Sequence, residues 1–334
     1  MKRRDAFLAP FALAASSSPL AALAQRAAKS FRVGSLSLGS YSTAPRLRES
    51  YVQGLRELGY DDTTNIVFER RYAEGYADRL PELAAELVRL KVDVIVAVGG
   101  AEILAAKNAT RAIPIVMVAG SGDPVGDGIA ASLARPGGNV TGMATRSADM
   151  VSKRLQLLKE AIPNATRVAA LYPATNSTAS PSNISARVAD TERATRLLRM
   201  ETSAIHVQGR ETMERAFEAA RTWHADAVFV HEYTPFFLAR ASIADLAVKY
   251  RLPAIVPAKE YAEAGGLMSY GVDYETLFRR AAAFVDKILR GARPSDLPIE
   301  QPDKFELVVN LKTAKALSIK FPQSMLLRAD LVIE

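Results

Sequence analysis

From Phe31 onward the sequence alternates short runs of β-branched and apolar residues with longer stretches whose apolar residues recur at helical spacing, and this alternation restricts the fold most. Strands joined through helices lie parallel, because each crossover carries the chain back across the sheet. Strands are expected over Phe31 to Leu36, Asn65 to Arg71, Val92 to Val98, Ile113 to Val118 and Asn139 to Met143. Helices are expected between them over Arg46 to Leu58, Tyr76 to Leu90 and Ala101 to Arg111, the second carrying an apolar stripe of Leu80, Leu83, Ala84 and Leu87. A helix at Met150 to Ala161 and a break at Pro163-Asn164-Ala165 precede a second series. Its strands fall at Arg167 to Tyr172, Ser203 to Val207, Ala227 to Val230, Ala254 to Val256 and Leu267 to Tyr270. Its helices fall at Ile184 to Arg199, Thr212 to Trp223, Phe236 to Tyr250 and Tyr274 to Arg290. The expected fold class is α/β, with two Rossmann-like lobes of parallel sheet facing each other across a ligand cleft.

The segment before Phe31 has the parts of an export signal. Lys2, Arg3 and Arg4 form a basic head, Ala6 to Ala15 an apolar run, and Ala22-Leu23-Ala24 a cleavage pattern before Gln25. Residues 1–24 are therefore expected to be a cleaved signal peptide and the mature chain to be periplasmic. The apolar run is shorter than the ~20 residues of a spanning helix, and Ser16, Ser17, Ser18 and Pro19 interrupt it. Arg3-Arg4 with Phe7-Leu8 is spaced one residue wider than a twin-arginine motif, which leaves the export route open.

With no cysteine, the chain has neither disulfides nor thiolate metal sites, and its stability must come from its core. A hydrophobic content of 49% over the roughly 310 residues left after cleavage is enough for two globular domains, and no later stretch is long and apolar enough to span a bilayer. Lys2, Arg3 and Arg4 against Asp5 account for +2 of the formal +7, leaving +5 on the mature chain. Its basic residues, such as Arg187, Arg193, Arg196 and Arg199, are scattered along helices without interleaved aromatics, which argues against nucleic acid as a partner.

Catalytic patterns are absent. There is no G-x-S-x-G elbow, and His206, His224 and His231 lack the spacing of a zinc pair. Gly120-Ser121-Gly122-Asp123 runs into Pro124 instead of a Gly-Lys-Ser/Thr ending, and no dinucleotide fingerprint stands between a strand and a helix. The expectation is a binding protein, monomeric, with no enzyme activity, metal or cofactor.

Two long motifs carry a family resemblance. Asp123-Pro124-Val125 is followed by Ser132-Leu133-Ala134-Arg135-Pro136-Gly137-Gly138-Asn139-Val140-Thr141-Gly142, and the C-terminal part holds Gln301-Pro302-Asp303-Lys304-Phe305-Glu306-Leu307-Val308-Val309-Asn310 and Leu327-Arg328-Ala329-Asp330-Leu331. The chain resembles the tryptophan/tyrosine-type substrate-binding proteins of ATP-binding-cassette importers. That resemblance implies a type I periplasmic-binding-protein fold whose chain crosses between lobes more than once. Residues 31–145 with about 268–298 would form the N-terminal lobe, and 146–267 with about 299–334 the C-terminal lobe. It implies capture of a small organic ligand, an amino acid or related aromatic compound, for delivery to an importer permease. A ligand-sensing subunit of a membrane signalling system uses the same cleft and stays open as an alternative, with a secreted enzyme behind it. The family usually has Gly where Ser318 stands here.

An amino acid needs a carboxylate cradle, a countercharge for its amine and a wall for its side chain. Ser40-Tyr41-Ser42 follows the first strand, and Gly99-Gly100-Ala101 follows the third at a helix N-terminus, where free N–H groups and the helix dipole favour an anion. Tyr172 with Asn176 ends one strand of the second series, and His231-Glu232-Tyr233-Thr234 ends another. The resembling family often carries Asp-Asn-Thr there, so Glu232 is the expected partner of a ligand ammonium, with Tyr233 and Thr234 beside it. Asp123, Tyr270 and Asp273 complete the candidates, the tyrosines at strand ends serving as a wall.

Overall fold

The structure is a computed structural model and describes residues 30–120, 122–145, 150–174 and 181–334; the expected signal peptide and Asn176 lie outside them. The first lobe is built from β1 (Phe31–Ser37), α1 (Pro45–Glu57), β2 (Ile66–Tyr72), α2 (Leu80–Arg89), β3 (Val94–Val98), α3 (Gly100–Ala109), β4 (Ile115–Val118) and β5 (Val140–Gly142). Its sheet has five strands in the order β2-β1-β3-β4-β5, all parallel. Ile-Val-Met-Val in β4 is buried throughout, as expected of a parallel strand with helices on both faces. Alternate residues divide between those faces. Val33, Val94 and Val96 join the core beneath α1, whereas Leu36, Ile95 and Ala97 join the core beneath α2 and α3.

The chain then crosses into the second lobe through α4 (Met150–Ala161), β6 (Arg167–Pro173), α5 (Pro181–Leu197), β7 (Glu201–Val207), α6 (Arg210–Thr222) and β8 (Ala227–Val230). It continues through α7 (Thr234–Leu238), α8 (Arg240–Lys249), β9 (Ala254–Val256), α9 (Lys259–Glu263) and β10 (Met268–Val272). The single helix expected over Phe236 to Tyr250 is two, broken at Ala239. At the break, Arg240 turns back to donate to the Phe237 carbonyl at 2.9 Å and to the Thr43 carbonyl of the first lobe at 3.0 Å.

After β10 comes α10 (Tyr274–Leu289), which packs on α1, β3 and β4 of the first lobe. Asp273 caps it, accepting from the Glu275 amide at 3.0 Å and the Thr276 hydroxyl at 2.7 Å. The chain then returns to the second lobe as β11 (Phe305–Asn310), α11 (Leu311–Ala316), α12 (Gln323–Leu326) and β12 (Leu331–Ile333). The second sheet has seven strands, β12-β11-β10-β9-β8-β6-β7.

This corrects one assignment. The strand at 268–272, placed with the first lobe from the sequence, belongs to the second sheet: Met268 lies opposite Ile255 of β9 and, antiparallel, opposite Val309 of β11. Both Met268 and Ser269 are sealed between its neighbours, so the crossing comes one element later, at α10. The chain thus passes between lobes three times, at about 143–150, at 273 and at 290–304. Two of these connections pair with each other, since the Ala144 amide donates to the Glu300 carbonyl and the Glu300 amide to the Gly142 carbonyl, both at 2.9 Å.

Candidate functional site

The carboxyl ends of β1, β3 and β4 meet the β8 end and α7 of the second lobe around a cavity of about 200 Å³. The lobes close over it. Arg46 on α1 pairs with Glu263 on α9, and the Arg240 to Thr43 bond joins the same rims.

Gly99 makes the turn from β3 into α3 with a φ of 108°, a left-handed conformation that favours glycine. A Cβ there would also meet the Glu102 carboxylate and, across the cleft, the Thr234 hydroxyl. The turn therefore brings the start of α3 to the cavity, with Gly99, Gly100 and Ala101 lining it. Behind them Glu102 is fully buried. Its Oε1 accepts from the Leu38 amide at 2.9 Å, whereas its Oε2 has no hydrogen-bond partner among the described residues. Burial pushes the Glu102 carboxyl up to about 7 against the pull of those backbone bonds, so it is largely uncharged below neutrality.

On the opposite wall, Glu232 stands two residues beyond the end of β8. Its Oε1 accepts from the Tyr274 hydroxyl at 2.7 Å, and its Oε2 lies 3.8 Å from the Arg154 guanidinium. Arg154, on α4, is 1% exposed and donates to the Tyr270 carbonyl at 2.6 Å and the Pro257 carbonyl at 3.4 Å. Burial raises the Glu232 carboxyl, while the Arg154 charge and the Tyr274 bond pull it down. A guanidinium does not give up its proton in a protein, so the pair holds a carboxylate at the cavity surface with acceptor positions to spare. Beside it, burial keeps His231 neutral. The His231 Nε2 lies 3.1 Å from the Thr191 hydroxyl, and the ring stacks on Tyr172 at 4.5 Å.

The cavity has a branch that runs into the first lobe, between its sheet and the α1 and α10 helices. Ser35 and Ser37 occupy the β1 positions that face those helices, and their small side chains leave the room that a larger residue would fill. On β2 the period of two puts Phe68, Arg70 and Tyr72 on the same face, all lining the branch. Arg70 sits over the Phe68 ring at 4.4 Å, and Tyr51 from α1 meets that ring edge-on at 6.4 Å between centroids. Arg48, also on α1, stacks on Tyr41 at 3.8 Å.

Of the residues expected from sequence, Ser40, Gly99, Gly100, Ala101, Glu232, Tyr233 and Thr234 line the cavity. The other described ones lie elsewhere. Tyr41 is 58% exposed on the rim with Ser42, and Asp123 is exposed in its own loop, accepting from the Gly126 amide at 2.9 Å. Tyr172 is in the second-lobe core, donating to the Thr191 hydroxyl at 2.9 Å, because the two faces of β6 are both covered. Tyr270 stacks on Phe305 with centroids 6.1 Å apart, since β10 lies inside the second sheet rather than at its edge. Asp273 caps α10 and pairs with Lys259 at 3.2 Å. The sequence reading passed over Tyr51, Phe68, Arg70 and Tyr72. Their signal was the alternation Phe-Glu-Arg-Arg-Tyr in β2, where aromatic and basic residues share a face that a covered strand would fill with aliphatics.

Known proteins give this geometry a context. The family model of the ABC transporter substrate binding proteins matches residues 44–333. A tyrosine-binding protein of Clostridioides difficile is 26% identical over 294 residues, spanning 87% of this chain and 82% of that one. Among solved structures, an ABC domain from Streptococcus pneumoniae in complex with L-Trp superposes with a TM-score of 0.82 at 23% identity, covering 91% of this chain and 100% of that one. A ligand-free, open substrate-binding protein from Clostridium difficile gives 0.64 at 24% identity, with 91% and 99% covered.

Proposed function

This chain belongs to the family of ABC transporter substrate binding proteins, and from that premise we propose that it captures an aromatic amino acid or a close relative and releases it unchanged to its importer. Capture of a small solute for a transporter is the function of the family. The single observation that carries the finer reading is the pairing of opposite polarity across the cavity: the N-terminus of α3 on one wall and the Glu232 carboxylate on the other. An α-carboxylate sits against the first and an ammonium against the second, which is the charge pattern of a zwitterion. Aromatic rings of Phe237, Tyr274 and Phe278 along the cavity give a side chain its apolar surface. The tyrosine-binding relative and the L-Trp-bound neighbour support this ligand class.

Binding drives closure because contacts from both lobes exist only in the closed form. Export through the cleaved segment at residues 1–24, action in the periplasm as a monomer and the absence of catalysis belong to the same reading. No helix among the described residues is long and apolar enough to cross a membrane. Calorimetry with tyrosine, tryptophan and phenylalanine tests the ligand class, with recovery of the solute by mass spectrometry to show it is unaltered. Glu232→Ala should weaken binding of an amino acid by about 1–3 kcal/mol, because the ammonium loses its charged partner. Affinity unchanged in that variant would remove Glu232 from the site.

A further inference from the structure

We infer that the far end of the ligand carries a carboxylate, which enters the first-lobe branch of the cavity and is received there by Arg70 and the Tyr51 hydroxyl. The inference rests on the amino-acid reading of the cleft and specifies the side chain.

Arg70 has no carboxylate or carbonyl partner among the described residues; its contact is the face of Phe68. Its neighbour Arg71, on the other face of β2, pairs with Glu86 at 2.6 Å. The contrast matters because β2 puts one arginine into an ion pair at the surface and turns the other into a cavity. A guanidinium presents a planar fork of donors that matches a carboxylate in two parallel bonds, and the Phe68 face fixes its plane. Arg48 lies on the same side, spending one donor on the Tyr41 carbonyl, and has no carboxylate partner among the described residues either.

Tyr51 is the second observation. It is 7% exposed, its hydroxyl is buried, and that hydroxyl has no hydrogen-bond partner among the described residues. Buried tyrosines ordinarily find one, because leaving a hydroxyl unbonded costs free energy. The Tyr51 ring lines the branch, and the Arg70 charge acts on its hydroxyl. A carboxylate at this point satisfies both residues, accepting from the guanidinium and from the hydroxyl.

The spacing suits an aromatic skeleton. In the sheet β2 lies two strands from β3, which carries the α3 N-terminus at its end. Two strand spacings are about 10 Å, so the α-carboxylate cradle and the Arg70 end are separate stations on one ligand. The serines at 35 and 37 open the floor between them.

The test compares phenylalanine, tyrosine and 4-carboxyphenylalanine by calorimetry with the mature chain and with Arg70→Met and Tyr51→Phe, each variant checked by thermal unfolding. In the unaltered chain 4-carboxyphenylalanine should bind about 10- to 100-fold tighter than phenylalanine. Arg70→Met should bring that ratio to about one, and Tyr51→Phe should lower it by about 3- to 10-fold. Phenylalanine or tyrosine binding with a ratio of one in the unaltered chain overturns the inference and leaves the amino-acid reading standing. A preference for the acid that survives both substitutions also overturns it. If none of the three compounds binds, the amino-acid reading falls and takes the inference with it.

Discussion

The two walls of the cleft use charge in opposite ways. On the second-lobe side, Glu232, Arg154, His231, Thr191 and Tyr172 each have a polar partner within the fold, Glu232 being met also by the Tyr274 hydroxyl at the start of α10. On the first-lobe side, Arg70 and Tyr51 face the cavity with no partner of their kind among the described residues. A satisfied network is a rigid surface that holds its shape whatever binds, whereas an unsatisfied one has a preference about what should fill it. The comparison places shape and hinge in the second wall and choice of side chain in the first.

The largest test of this division is Arg154→Met. Removing one member of a buried ion pair leaves the Glu232 carboxylate without its cationic partner and takes a donor from the Tyr270 and Pro257 carbonyls, and chemical denaturation should show a loss of about 3–5 kcal/mol. Adding Glu232→Gln to that variant should recover part of the loss. If Arg154→Met is stable and merely binds ligand less well, the second wall is not the structural one.

Acidity separates the walls next. Below pH 4.5 the Glu102 carboxyl is protonated in both folded and unfolded chains, but between 4.5 and about 7 the folded chain keeps a proton that the unfolded chain has released. Its contribution to stability is therefore complete at acid pH and is lost as pH rises through about 7. Glu260, whose carboxyl burial also raises to about 7, acts in the same direction. Melting between pH 5 and 8 should show this decline, and Glu102→Gln should flatten it, gaining on the order of 2 kcal/mol at pH 8. A profile identical in the two proteins would mean that Glu102 is charged throughout.

Tyr172→Phe sharpens the comparison at smaller scale. It removes one bond from the second-wall network, so it should cost about 1 kcal/mol of stability and leave ligand affinity as it was. A change in affinity would bring Tyr172 back to the site. The smallest effect lies outside both walls, at Ser318, which follows α11 with a φ of 58°. The Ser318 amide donates to the Lys315 carbonyl at 3.1 Å and the Ile319 amide to the Ala314 carbonyl at 2.8 Å, an arrangement that glycine adopts at no steric cost. Ser318→Gly should raise stability by about 0.5–1 kcal/mol in thermal melts, with no effect on binding.

Much of the fold was legible because buried parallel strands and amphipathic helices have different periods. Leu80, Leu83, Ala84 and Leu87 are the buried face of α2, as their spacing required. The membership of β10 was not legible, since an apolar run says that a strand is covered without saying by which sheet. Glycines and polar residues at strand ends led to the cleft, for Gly99 and Glu232 both reach it. The tyrosines misled. Tyr172 and Tyr270 lie within strands in the interior of the second sheet, Tyr172 packed in the second-lobe core and Tyr270 against Phe305, and only the sheet order shows which strands are interior. Arg70 lies in mid-strand, where a search for loop residues does not look, and its meaning depends on Ser35 opposite it in β1.

The placement of α10 also bears on how such a molecule can be divided. Because this helix belongs to one lobe while the strands on either side of it belong to the other, no single cut in the chain frees an intact half. A fragment ending after β5 would lack the helix that covers α1, and recombination that exchanges one contiguous block for another would strand α10 on a foreign surface. New specificities are therefore reached through point changes within the cleft walls rather than by trading lobes.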